Sequence, residues 1–395
     1  MTAGPREDAV HSGNAVAIAR SLVAIGSVNP DLESDGAGEA KIAAFCAELL
    51  ESWGFDVSSR EAVPGRPNVV ARRNGTGPTL LLNGHLDTVG VAGMTIDPFG
   101  AELKDGRLWG RGSCDMKGGV AALLAAARAL VDAPASERPG LVVALTADEE
   151  NASVGMARLV EDDVAADLAV VCEPTELAVM PAHKGFVWIR TLFKGRAAHG
   201  SRPELGIDAI RHAALYLAVL EEHAAALRSG PAHPLLGHGS FHAGTIRGGA
   251  GASVYPESCE LVLERRTLPA ESVPDVVAPF REALQALVSG HPEIVADLTV
   301  TLDRPGTEVG EDTPLVQGLL AALAEVGVPP EVRGMSAWVD AAYLNGAGIP
   351  AVCFGPGSIE QAHTTDEWID VEEIRVAADV LGRFARALVT NSNGR

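Results

Sequence analysis

Positive charge is in short supply. The 395-residue chain sets 31 Lys and Arg against 52 Asp and Glu, a net charge of −21, which repels nucleic acid and anionic lipid surfaces at long range. Neither is expected as a partner. Cysteine is scarce too: Cys46, Cys114, Cys172, Cys259 and Cys353 are odd in number, scattered and lack any C-x-x-C pair, so neither a disulfide framework nor a thiolate zinc site is expected. The opening stretch MTAGPREDAVHSGNAV has no apolar centre of the kind a secretory signal needs, and no later run reaches the length of a membrane span. A cytoplasmic location is the default expectation. No internal repeat and no G-x-S-x-G elbow occurs. The Gly110 to Gly119 stretch fits neither G-x-G-x-x-G nor a Walker loop, and its Asp115 would repel phosphate.

What is present is a chain, 47% hydrophobic, long enough for two domains with separate cores. Residues from about 14 to 55 read as helical, ending at Gly54, and Pro64 and Pro67 are expected to break the chain before a first extended segment. Short apolar runs at Thr79 to Asn83, Leu141 to Thr146, Leu168 to Cys172 and Pro350 to Phe354 have the length and branching of buried strands, with helices such as Gly118 to Val131 between them. That alternation predicts an α/β fold with a mostly parallel sheet sandwiched by helices. From about 181 to 304 the order changes to strand, helix, strand, strand, helix, strand, which suits an inserted ferredoxin-like α+β domain. In its long helix, Ile207, Ile210, Ala214, Leu217 and Leu220 recur at steps of three and four and predict one buried stripe. The expected division is 1–180 and 305–395 for the first domain and 181–304 for the insertion.

Residues with ligand chemistry fall at the carboxyl ends of the predicted strands, the edge of an open α/β sheet where loops converge on one crevice. TLLLN runs into His85 and Asp87, LVVALT into Glu149 and Glu150, and LAVVC into Glu173. His85 and Asp87, two apart in extended chain, share a face, so the carboxylate can accept the imidazole's free N–H. Alone, such an H-x-D is more simply a surface pair. Glu149 and Glu150 point in different directions, suiting one ligand and one free base, or a solvated loop. Asp115 stands just before an Ala-rich helix, where capping is the plainer alternative. Together, Asp115, Glu149, Glu150 and Glu173 would crowd one crevice, at a cost of about 4 kcal/mol per close pair at an effective dielectric near 20. Bound divalent cations remove that conflict, and imidazole and carboxylate donors without thiolates suit zinc, with cobalt or manganese as substitutes. A carboxylate bridging two ions makes a two-metal clamp on water and an amide carbonyl. His233, His238 and His242 form a loose cluster read as loop residues.

The stretches GHLDTV, GRGSCDMKGG, ADEE, CEPT, KGRAAHGSRPELGIDAI and GPGSIEQAHTTDEW occur in an order and spacing that resembles the co-catalytic zinc aminoacylases and carboxypeptidases, the family that includes acetylornithine deacetylase and succinyl-diaminopimelate desuccinylase. The resemblance covers nearly the whole chain. It implies that His85 and Glu173 hold one zinc ion, Glu150 and His363 the other, and that Asp115 bridges them, with Glu149 as general base and Asp87 supporting His85. It also implies that His199 reaches a partner subunit's active site to help hold the oxyanion, that Arg266 binds the substrate carboxylate, and that the inserted domain is both lid and homodimer contact. Two positions depart from the family: Ser253 stands where an asparagine is usual in N-V-x-P, and Val339 replaces the common threonine before Asp340. Both touch substrate handling, with Ser253 in the substrate-binding stretch. The GPGSIEQAH segment favours deacetylation of N-acyl amino acids. A carboxypeptidase or dipeptidase of the same family, and a catalytically silent binding protein, are the competing readings.

Overall fold

The computed structural model describes residues 5–392. Two compact units are present: one runs to Pro181 and takes in Val309–Arg333 and the chain from Val339 on, and the other is Ala182–Glu308 with Gly334–Trp338.

In the first unit, Thr79–His85 lies between Gly140–Thr146 and Leu168–Val171 and is parallel to both; Leu168–Val171 is in turn parallel to Ala351–Cys353. These four strands are buried along almost their whole length, as consecutive apolar residues require when helices cover both faces. Gly118–Val131 packs with Ala15–Val23 and Val371–Ser392, and Val154–Glu161 packs with Ala341–Gly346. The flanking strands run antiparallel: Asp56–Val63 pairs with Arg66–Arg73, Arg66–Arg73 with Gly140–Thr146, and Val179–His183 with Ala351–Cys353. The sheet is therefore parallel at its centre and mixed overall. A two-residue connection with Gly65 at φ +80° can only join antiparallel neighbours.

Several local expectations shift. The helical stretch after residue 14 is two helices, Ala15–Val23 and Ala40–Ser52, and Gly54 follows the second at φ +78°, the left-handed exit that glycine makes cheaply. Pro67 does not break the chain; it sits inside Arg66–Arg73, opposite Glu61, before pairing with Gly140–Thr146 starts at Val69. Its missing N–H therefore has no ladder bond to lose on that side.

The second unit has the expected ferredoxin-like order. Its sheet runs Ser240–Gly248, Ser258–Thr267, Gly185–Lys194, Val295–Arg304, all neighbours antiparallel, with helices Ala209–Ser229 and Val273–Gly290 packed together. Strand burial alternates residue by residue, so one face carries the core. The long helix is rotated from its predicted stripe: Ala209, His212, Ala213, Tyr216 and Leu220 are buried, while Ile210 is 41% exposed. The small residues Ala209 and Ala213 let the backbone approach, and Tyr216 anchors the face by donating to the Phe280 carbonyl at 2.8 Å. Among the described residues no helix is long and apolar enough to cross a membrane.

Candidate metal centre

Close packing of small residues brings the acidic loops together. A side-chain carbon on Gly119 would come within 1.9 Å of the Cys172 carbonyl, and one on Gly84 within 2.8 Å of Val120. The first turn of Gly118–Val131 thus lies directly on the strand ends that carry His85 and Glu173, and the irregular turn before it delivers Asp115 between them.

His85 Nε2 is 3.1 Å from Asp115 Oδ1, and Asp115 Oδ2 is 3.4 Å from His363 Nε2, which is 3.0 Å from Glu150 Oε2. Ligand atoms of His85, Asp115 and Glu173 all lie within 4.8 Å of one another, and so do those of Asp115, Glu150 and His363. Asp115 belongs to both sets. It makes no helix-capping bond; both carboxylate oxygens face imidazoles. No third such set occurs among the described residues, so His233, His238 and His242 do not gather as ligands; His233 instead pairs with Glu308 at 3.3 Å.

The support of His85 differs from the expectation. Its Nδ1 is 3.0 Å from the main-chain carbonyl of Asp87 but 3.5 Å from that residue's carboxylate. Donation to the carbonyl is the better bond, and it turns Nε2 toward Asp115, where that nitrogen would meet a metal ion once it gives up its proton. The Asp87 carboxylate mainly serves the neighbouring loop, accepting the main-chain N–H of Glu149 at 3.0 Å and of Glu150 at 3.1 Å.

Crowding shows in the acidities. Burial, with the negative charges of Asp115, Asp340 and Glu150 added, pushes Glu173 up to about 8. Burial and Asp115 push Glu150 up to about 7, and burial and Glu173 hold Glu149 well above the carboxylate range. For Asp115, burial also pushes upward, but hydrogen bonds from His363 and His85 outweigh it and leave the group more acidic than usual. Those same bonds to Asp115 and Glu150 raise His363 to about 10. Four carboxylates competing for two protonated imidazoles is an unfinished charge balance. Glu173 Oε1 is buried without any hydrogen-bond partner, and an orphaned buried carboxyl oxygen is costly unless a donor or a cation meets it. The donor set, two imidazoles and three carboxylates in two groups sharing Asp115, fits a pair of divalent ions.

Three further residues were not singled out from sequence. Glu367, 1% exposed, accepts the main-chain N–H groups of Gly112 (2.9 Å), Cys114 (2.8 Å) and Asp115 (3.1 Å) and pairs with Arg111 at 2.7 Å; it therefore ties the Asp115 turn to the segment bearing His363. Asp340 is buried, reaches Thr146 Oγ1 at 3.4 Å, and is raised to about 7 by burial. Asn29 donates to the Asp87 carboxylate at 2.8 Å. Glu367 carried a sequence signal in its place in the TTDEW stretch four residues after His363, and Asp340 in the stretch where Val339 departs from the family; Asn29 carried none.

Within the second unit, His199 is exposed, its Nδ1 2.8 Å from Ser201 Oγ. Ser253 lies beside it, accepting the Gly200 N–H at 2.7 Å through its carbonyl. Arg266, on Ser258–Thr267, pairs with Glu264 at 2.7 Å and stands over the Phe186 ring.

Residues 81–387 match the model of Peptidase family M20/M25/M40. An acetylornithine deacetylase of Myxococcus xanthus is 34% identical over 86% of this chain and 90% of its own length. Among solved structures, a Staphylococcus aureus tripeptidase has a TM-score of 0.80 at 22% identity, covering 96% of this chain and 99% of that one. A Bacillus subtilis dinuclear metal-binding peptidase of the M20 family has a TM-score of 0.74 at 17% identity, covering 96% and 99%.

Proposed function

The chain belongs to peptidase family M20/M25/M40, and from that premise we propose that it hydrolyses the amide bond of N-acyl-L-amino acids, as an acetylornithine deacetylase does, using two zinc ions. The observation that carries this reading is the pair of ligand sets that share Asp115, with the carboxyl of Glu149 beside them and bound to neither. His85 and Glu173 would hold one ion, Glu150 and His363 the other, and Asp115 both. When bound, the ions supply a water acidified from about 15.7 to near 7 and polarise the amide carbonyl.

The chain's own residues do the rest. Glu149, held well above the carboxylate range by burial and the nearby Glu173 charge, takes the proton from the attacking water and returns it to the amine nitrogen as the C–N bond breaks, releasing acid and amine. Asp87 fixes that carboxyl through the Glu149 N–H. His199 donates to the developing oxyanion, a contribution of about 3 kcal/mol for a well-aimed donor, and Arg266 and the Ser253 stretch receive the substrate's carboxylate end. His199 would act across a homodimer formed by the inserted unit. Supporting that assembly, the edge strand Ser240–Gly248 is exposed along nearly its full length, with Ile246 50% exposed, a surface that soluble proteins usually cover. The net charge of −21 disfavours nucleic acid and anionic membranes as partners and is in keeping with a small-molecule substrate.

The test is a panel of N-acetyl amino acids, N-succinyl amino acids and dipeptides assayed with zinc and with cobalt. Release of acetate is expected to dominate; faster cleavage of dipeptides would replace the deacetylase by a dipeptidase. Glu149→Gln is expected to retain full metal content and lose at least about 10²-fold in kcat.

A further inference from the structure

Behind the acidic loops lies a second, fully buried polar chain that the reaction scheme does not use. Asn29 is 0% exposed. Its Nδ2 donates one proton to Asp87 Oδ2 at 2.8 Å and the other to Asp148 Oδ1 at 2.9 Å. Its Oδ1 accepts the Asp31 N–H at 3.0 Å, and its own N–H donates to the Thr88 carbonyl at 2.9 Å, so the amide cannot turn away. Asp148 Oδ1 also receives Arg66 Nη1 at 2.7 Å. Arg66 is held by Glu39, and Glu39 accepts the Asp148 N–H at 3.1 Å.

Asp148 itself sits at φ +68°, a left-handed conformation that a non-glycine residue keeps only when its surroundings impose it. Both of its ends are imposed here: the N–H by Glu39, the carboxylate by Asn29 and Arg66. The next two residues are Glu149 and Glu150, whose N–H groups end on Asp87, the other acid that Asn29 holds. One nitrogen with two donors thus spans two carboxylates that would otherwise repel, and links them into a single frame. Neither an apolar residue nor an acid supplies two donors at one atom.

We propose that Asn29, backed by the Arg66–Asp148 ion pair, is a positioning residue that sets the separate directions of Glu149 and Glu150. The proposal rests on the roles given to those two glutamates above. Its action runs through Asp87 and Asp148; Asn29 touches neither substrate nor metal.

Asn29→Leu keeps the branched shape and removes both donors, so a role in packing alone survives it. Three quantities are read on the full-length protein at a temperature where circular dichroism shows the variant folded: kcat and KM separately, the Co²⁺ affinity of the chelated protein, and the visible absorption of bound Co²⁺. The expected result is a kcat and a Co²⁺ affinity each lowered about 10- to 100-fold, the range found for residues that orient metal ligands, with KM within about twofold and a changed cobalt spectrum. Arg66→Lys, which retains the charge, is expected to show a smaller loss of the same pattern. Wild-type kcat and Co²⁺ binding in Asn29→Leu would overturn the proposal. The cobalt titration keeps this separate from the substrate: wild-type protein that binds Co²⁺ but releases no acetate defeats the deacetylase reading, whereas equal Co²⁺ binding by wild type and Asn29→Leu defeats the positioning role.

Discussion

Removing the metal should make this protein's stability depend on pH in a direction opposite to that of most folded proteins. In the metal-free state, Glu173 is raised from 4.5 to about 8, Glu150 from 4.5 to about 7 and Asp340 from 3.8 to about 7. A carboxyl whose folded pKa exceeds its unfolded one binds more protons when folded, so stability is complete below the unfolded pKa and is lost as pH rises through the folded one. His363, raised from 6.5 to about 10, adds loss of the same sign above 6.5. Asp87 and Asp115, both lowered, act oppositely, but their contribution is already complete by about pH 5. Across pH 5 to 9 the raised acids and His363 of this centre therefore point downward. They are opposed by the buried Lys117 of the Asp115 turn, lowered to about 7, and by the buried His183, lowered to about 4, whose contributions grow with pH. At about 1.4 kcal/mol per pH unit, shifts of this size make the centre worth on the order of a few kcal/mol. The acids share their protons, so their shifts do not add, and a total loss of several kcal/mol is the scale to expect. At about 2–4 °C per kcal/mol, the melting temperature of chelated protein should fall by on the order of 10 °C between pH 5.5 and 8.5. Saturating metal should displace those protons, so the stabilisation it confers should grow with pH. Differential scanning calorimetry at three pH values, with chelator and with zinc or cobalt, measures both slopes. A melting temperature of the chelated protein that stays level or climbs over that range would refute the reasoning, as would metal stabilisation independent of pH.

Asp115→Ala should lose both metal ions, because that side chain belongs to each ligand set, whereas Glu150→Ala should keep one; elemental analysis after dialysis separates the two outcomes. Gly119→Ala should destabilise by about 3 kcal/mol, since its new carbon would meet the Cys172 carbonyl at 1.9 Å and core overpacking costs that much; the denaturant midpoint reports it, and a midpoint unchanged from wild type refutes the close-packing account. If the proposed homodimer forms through the exposed edge strand Ser240–Gly248, Ile246→Glu should convert it to monomers in light scattering while leaving metal content intact, and a wild-type chain that is already monomeric would refute that assembly.

Much of this was legible along the chain because the relevant physics is local. The four buried strands read as short apolar runs, each bounded by loops, and the acids appear where those runs end, so the strand ends and the ligand types could be named before any fold was known. The order of elements likewise marked the ferredoxin-like unit, since periodicity changes from two to about 3.6 within a few residues. What escaped were matters of rotation and reach. The long helix of the second unit turns toward Ala209 and Ala213 and away from Ile210 because close approach to a sheet favours small residues, and no heptad count reveals which face the partner prefers.

The sequence by itself determined the ligand chemistry and the places where it would surface: imidazole and carboxylate donors without thiolates, at the carboxyl ends of parallel strands. Only the tertiary structure decided which of those donors meet, that Asp115 faces both histidines instead of capping its helix, that Asp87 holds the Glu149 and Glu150 main chain more closely than the His85 ring, and that Asn29, Arg66, Asp148 and Glu367 brace the loops. The reason is range. Donor type is a property of single residues, but a bracing hydrogen bond joins residues as far apart as Asn29 and Asp148, or Asp115 and Glu367, and its partners are chosen by packing that no local stretch encodes.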